Sequence, residues 1–151
     1  MILVKGGPGS GEVARAACKV KKQFNVLLAD DDHGVCFVIS TVLQRFGHTV
    51  EIAPNGKEAI HLFTVKPGHF DVVISDDKLP IVSSLQLVEH LRRSAFAGKI
   101  IVISGALTSE LQTAYHNKQV DKILQKPFTV EGLSFTLDDL FRQWEASLSR
   151  V

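Results

Sequence analysis

The chain has 151 residues, enough for one domain with a substantial core. Charged residues make up 22% and hydrophobic ones 45%, a globular balance, and a net charge of +1 gives no electrostatic case for wrapping nucleic acid or lying on an acidic membrane. No apolar run approaches the roughly 18 residues needed to cross a bilayer, the opening MILV is too short for a signal-peptide core, and Cys18 and Cys36 form no spaced pair, so a reducing cytoplasm is expected.

The first stretch holds a lure. LVKGGPGSGEVARA, residues 3–16, has the outline of a phosphate-binding loop, G-x-x-x-x-G-K-[ST]. Such a loop needs a cation for the phosphates and a hydroxyl for magnesium, yet Glu12 and Val13 occupy those two places. It is not a nucleotide site. Residues 1–23 are expected to form a flexible or weakly packed extension, because Arg15, Lys19, Lys21 and Lys22 leave little apolar surface to bury.

From Phe24 onward, short apolar runs alternate with segments of helical period. The runs are Val26–Ala29, Thr49–Ile52, Asp71–Ser75, Ile100–Ser104 and Lys122–Leu124. Several are apolar on both faces, as buried parallel strands are. Between the first two, Val35, Val38, Ile39, Val42, Leu43 and Phe46 step by three and four until Gly47 stops them. Ala59, Ile60 and Phe63 mark a second helix, ending before Pro67-Gly68, and Leu87, Val88 and Leu91 mark a third. A fourth, around Thr108–His116, is weakly patterned, whereas Leu133, Leu137, Leu140, Phe141, Trp144 and Leu148 follow one face for four turns. Five strands alternating with five helices predict a doubly wound α/β domain with a parallel sheet.

Ligands of such sheets bind beyond the carboxyl ends of the strands. Asp30 follows the first strand, Asp76 the third, Ser104 ends the fourth and Lys126 follows the fifth, so all four converge on one edge. The run Asp30-Asp31-Asp32 packs like charges together, which needs compensation: solvent, free N–H groups at a helix start, or a cation. The lysine and an incoming cation are plausible company for it. The six histidines show no metal-ligand spacing.

These motifs together resemble the receiver domain of two-component response regulators, a family that includes the bacterial chemotaxis regulator. NVLLADDD is similar to its first strand and acidic pair, VVISDDKLP to its third strand and phosphoacceptor, IVIS to a fourth strand ending in a hydroxyl, and ILQKPF to a fifth ending in lysine and proline. The likeness covers about Asn25 to Leu148. It implies a flavodoxin-like strand order 2-1-3-4-5, with residues 24–151 as the receiver domain. It also implies Asp76 as the phosphoryl-accepting nucleophile. Asp30, Asp31, Asp76 and the backbone carbonyl of Lys78 would hold one Mg²⁺, Lys126 would pair with Asp76 and then with a phosphoryl oxygen, and Ser104 would donate to another. Asp32 is spare and fits a helix cap. A cis Lys126–Pro127 bond is implied as well. The expected donor is a histidine kinase or phosphotransfer protein, and the expected recipient of the signal is an output protein or domain. No nucleic-acid binding or membrane insertion is implied, and the domain would catalyse only its own phosphorylation and dephosphorylation.

Two departures stand out. The aromatic switch residue three before the lysine is Ile123, and the usual Gly-x-Asp-Gly after the proline is Ile81-Val82-Ser83-Ser84. Ile81-Val82 is thus either a partner contact or packing under the third helix. One alternative function is a receiver-like scaffold that does not switch. Another is a haloacid-dehalogenase-like phosphohydrolase using Asp30, Asp32, Ser104, Lys126 and Asp138-Asp139. Lys78, two after Asp76, is expected to weaken Mg²⁺ binding and slow phosphoryl loss.

Overall fold

The computed structural model describes residues 23–149. The failed phosphate loop and all but the last residue of the expected N-terminal extension lie outside them. Phe24–Asp138 forms one compact unit; from Asp139 the chain belongs to a second, of which the helical segment to Ser149 is described.

The strands are β1 (Asn25–Ala29), β2 (Thr49–Ala53), β3 (Val72–Asp76), β4 (Lys99–Ser104) and β5 (Lys122–Gln125). They form one parallel sheet in the order β2-β1-β3-β4-β5. The helices between and after them are α1 (His33–Arg45), α2 (Gly56–Val65), α3 (Ser84–Arg93), α4 (Ser109–Asn117) and α5 (Val130–Ser149). Architecture and strand order match the sequence-based expectation. β3 is buried along its whole length, and β1 and β4 are buried after their first residue, because helices cover both faces. Edge strand β2 exposes Thr49 and Ile52.

Helix ends follow local chemistry. Asp32 Oδ1 accepts from the N–H groups of Gly34 (2.9 Å) and Val35 (3.1 Å), so the third aspartate of the acidic run caps α1. That helix stops at Gly47, whose φ of 90° puts the chain in the left-handed region; its N–H bonds Gln44 and that of His48 bonds Leu43. Ser83 and Gln86 form a reciprocal capping box on α3, and Thr108 caps α4.

The core packs Leu27, Val73, Ile100 and Val102 of the sheet against Ala59, Leu87, Val88, Leu91 and Tyr115 of the helices. Each fully buried aliphatic side chain here contributes about 1.5–3 kcal/mol. The parallel register aligns the strand ends: Ala29 lies opposite Ser75, Asp76 opposite Ile103, and Ser104 opposite Gln125. Side chains just beyond those ends therefore meet at one edge.

In the loop after β3 the two residues Ile81 and Val82 have different surroundings. A Cβ at Gly56, the start of α2, would lie 2.3 Å from the Val82 carbonyl oxygen, so α2 closes directly onto Val82. Ile81 is 73% exposed. It has φ of 72° and is the centre of a γ-turn in which the Val82 N–H donates to Pro80 O at 2.8 Å.

Candidate functional site

Parallel pairing delivers four side chains to the carboxyl edge of the sheet. Asp30, one residue past β1, is 1% exposed. Its Oδ1 accepts from the Asp32 N–H at 2.9 Å, while its Oδ2 is buried without a hydrogen-bond partner among the described residues. Asp31 is exposed and Asp76, the last residue of β3, is buried. One oxygen from each of Asp30, Asp31 and Asp76 lies within 4.8 Å of the others. Lys126 Nζ donates to Asp76 Oδ1 at 3.0 Å. Its backbone is fixed by an N–H bond to Ser104 O at 2.8 Å and a cis peptide to Pro127.

The electrostatics follow from this crowding. Burial raises the pKa of the Asp30 carboxyl; the Asp32 N–H works the other way, and the Asp76 charge adds to the rise. Burial opposes the Lys126 charge, but the hydrogen bond and attraction of Asp76, with Asp30 behind it, outweigh it and hold the ammonium above its ordinary range. Cys36, whose Sγ sits 3.4 Å from Asp30 O, is pushed up to about 11 by burial and by the nearby aspartates, so it is an inert core thiol.

An orphaned buried carboxylate oxygen beside two more carboxylates suits a hard divalent cation that takes oxygen ligands and retains waters. The residues present fit Mg²⁺. Lys78 is exposed and forms no ion pair among the described residues, so Lys126 is the cation that meets Asp76.

Ser104 is brought to the same edge, fully buried, and its hydroxyl has a partner that the sequence did not indicate. Its hydroxyl donates to Asp77 Oδ2 at 3.1 Å, and the Ala106 N–H donates to it at 3.3 Å. Asp77 is placed by a continuation of the β3–β4 ladder, its N–H bonding Ile103 O at 2.7 Å. Its other oxygen, Oδ1, accepts from the hydroxyl of Tyr115, a 1%-exposed residue of α4. Burial and that bond push the Tyr115 hydroxyl well above its ordinary value, with the Ser84 hydroxyl acting in the opposite sense. Ser84, at the buried start of α3, meets Ser75 Oγ at 3.1 Å.

Asp77, Tyr115 and Ser84 escape sequence reading. Asp77 hides beside Asp76, and Tyr115 lies in the most weakly patterned helix, 38 positions from its partner. The one available signal is that this helix buries a lone tyrosine, whose hydroxyl needs a partner. Asp138 and Asp139, which the phosphohydrolase alternative would use after a strand, lie within the helix α5, and Asp32 caps α1.

The family model for the response regulator receiver domain matches residues 26–138. The chain belongs to the response regulator receiver domain family. It is 32% identical over 113 residues to the aerobic respiration control sensor protein ArcB of Escherichia coli, an alignment covering 73% of this chain and 14% of that protein. The chain thus spans a small part of that curated relative. Among solved structures, chemotaxis response regulator CheY4 of Vibrio cholerae superposes with a TM-score of 0.70 at 28% identity, covering 78% of this chain and 98% of that one. A CheY-like receiver domain protein from Methanospirillum hungatei gives 0.73 at 22% identity, covering 83% and 99%, and speaks for the fold alone. Receiver domains are signalling modules of two-component systems that bind Mg²⁺ at an acidic pocket and interact with histidine kinases and output domains. No described helix is long and apolar enough to cross a membrane.

Proposed function

We propose that this receiver domain accepts a phosphoryl group on Asp76 from a phosphohistidine of a sensor kinase or phosphotransfer protein, and that the change alters its partner-binding surface. The observation that carries this reading is the Lys126–Asp76 pair set beside the three-carboxylate cluster at one sheet edge. Asp30, Asp31 and Asp76, with the Lys78 carbonyl, would hold Mg²⁺. When bound, that ion supplies positive charge to the transferring oxygens.

The chain's own residues do the rest. Asp76 Oδ1 is engaged by Lys126, and its Oδ2 accepts no hydrogen bond among the described residues, so that oxygen is available as nucleophile. A carboxylate oxygen forms the new bond to phosphorus as the phosphorus–nitrogen bond of the donor breaks, and the imidazole keeps the electron pair. Lys126, kept charged by its surroundings, neutralises an oxygen of the group that arrives. The buried Ser104 hydroxyl is the donor for a second. The surface that would respond lies along α4, β5 and α5, where a groove of about 540 Å³ is lined by Leu107, Gln112, Ile123, Phe128, Leu133 and Thr136.

Intact mass after incubation with acetyl phosphate and Mg²⁺ tests the proposal. One added phosphoryl group, lost in Asp76→Asn and blocked by chelator, is expected. An Asp76→Asn protein that still gains the mass defeats the assignment, and catalytic release of phosphate from a phosphomonoester would point to a hydrolase instead.

A further inference from the structure

Ser104 Oγ carries a single proton, and in this structure that proton is given to Asp77 Oδ2 at 3.1 Å. The same hydroxyl is the donor that a phosphoryl oxygen on Asp76 would claim. One proton cannot serve both acceptors. A phosphoryl group also brings about −1.5 to −2 charges to the residue adjoining Asp77. Both effects separate Ser104 from Asp77 and leave Asp77 Oδ2 without its donor. The other oxygen of Asp77 is tied to Tyr115, a buried residue whose backbone belongs to α4. Ile123, from which an aromatic report would be expected on β5, is aliphatic and half-buried.

We infer that Asp77 and Tyr115 form the switch of this domain: Asp77 holds Ser104 in the resting state, and its release re-aims the Asp77–Tyr115 pair so that α4 reports the state of Asp76. Both are positioning residues, acting through Ser104. The inference rests on Asp76 being the phosphoacceptor. Four local features then fit together. Asp77 supplies the acceptor, Tyr115 supplies the aromatic hydroxyl, Ser84 lines the buried polar run that reaches Ser75, and Ile123 has no reporting work left to do. The loop after β4 is coupled as well, since the Ala106 N–H rests on the Ser104 oxygen.

Tyr115 is the chain's one tyrosine, so fluorotyrosine labelling gives a single fluorine resonance that reads this residue alone. Beryllofluoride with Mg²⁺ should move that resonance, whereas Mg²⁺ alone should not. In Asp77→Ala the resonance should start displaced and no longer respond. Tyr115→Phe, which keeps the ring in the core, should still gain one phosphoryl group by intact mass from acetyl phosphate yet lose the phosphorylation-dependent amide shifts along α4. A mere packing role for Tyr115 would leave those shifts in place. Phosphoryl gain with an unmoved tyrosine resonance, or an α4 response in Tyr115→Phe equal to that of the parent, overturns the inference and leaves the phosphoacceptor reading standing. Absence of any phosphoryl gain in the parent protein overturns both.

Discussion

Lys126 Nζ sits 3.0 Å from Asp76 Oδ1, with the lysine side chain 30% and the aspartate side chain 11% exposed. Removing the ammonium leaves Asp30, Asp31 and Asp76 within a few ångströms of one another with no lysine between them. The Lys126→Met variant should lose about 1–2 kcal/mol in metal-free buffer, less than a fully buried pair would because solvent screens part of the interaction. The folded ammonium is held above its ordinary value, so its contribution is complete below about pH 10 and fades as pH rises through the folded pKa. Melting curves of the two proteins should therefore differ by a constant amount through neutral pH and converge in strong alkali. Divergence with rising pH would contradict this account.

Asp30 has the opposite effect on the metal-free fold. Its carboxyl is raised by burial, which favours the neutral form, so whatever stability that form contributes is present below the ordinary carboxylate range and lost as pH rises through the folded pKa. Above the ordinary carboxylate range the raised pKa makes this group work against folding. Asp30→Asn keeps an oxygen for the Asp32 N–H and removes the charge. The melting temperature in chelator should rise by a few degrees, on the order of 1 kcal/mol, and added Mg²⁺ should no longer raise it. A lower melting temperature in chelator would show that Asp30 stabilises the fold by itself.

Much of this architecture was legible because its signals are local. The apolar runs of β1, β3 and β4, the cap at Asp32 and the stop at Gly47 each depend on residues within one turn or one strand. The convergence of Asp30, Asp76, Ser104 and Lys126 was legible too, since a parallel sheet brings strand ends together whatever the loops do. What stayed hidden depends on which partner a hydroxyl chooses. Nothing in the order of residues says that Ser104 turns to Asp77 or that Tyr115 reaches the same carboxylate. Nor does sequence separate Ile81 from Val82, of which one is held against α2 and the other is left to solvent.

Gly56 is where α2 closes on the loop after β3. A Cβ there would meet the Val82 carbonyl oxygen at 2.3 Å and the Val82 Cβ at 2.8 Å. The obstructing oxygen is backbone, so it cannot swing aside as the tip of a long side chain would. Gly56→Ala should destabilise the domain by about 1–3 kcal/mol, the usual cost of overpacking, despite alanine's better helix propensity. Denaturant titration with an unchanged midpoint would mean the loop yields freely.

Ile81 offers the reverse case, a substitution that should stabilise. Its φ of 72° is costly for any side chain and more so for a β-branched one. The γ-turn from Pro80 to Val82 holds it there, with Val82 in turn fixed against Gly56. Little is returned by burial, because Ile81 remains 73% exposed. The left-handed conformation costs an L-residue about 1–2 kcal/mol. Glycine relieves that strain but loses roughly 0.5–1 kcal/mol through its freer unfolded chain. Ile81→Gly should thus gain about 0.5–1 kcal/mol, and Ile81→Asn a similar amount, since asparagine tolerates this region better than isoleucine does. Because Ile81 belongs neither to the carboxylate cluster nor to the Lys126–Asp76 pair, phosphoryl uptake from acetyl phosphate should be unaltered. The reading of Ile81 as a partner contact gives this exposed side chain a second expected outcome. Phosphoryl uptake from a partner kinase should then fall in Ile81→Gly while uptake from acetyl phosphate holds, and equal uptake from both donors would leave the strain without that purpose. A drop in the denaturant midpoint of Ile81→Gly would refute the strain itself.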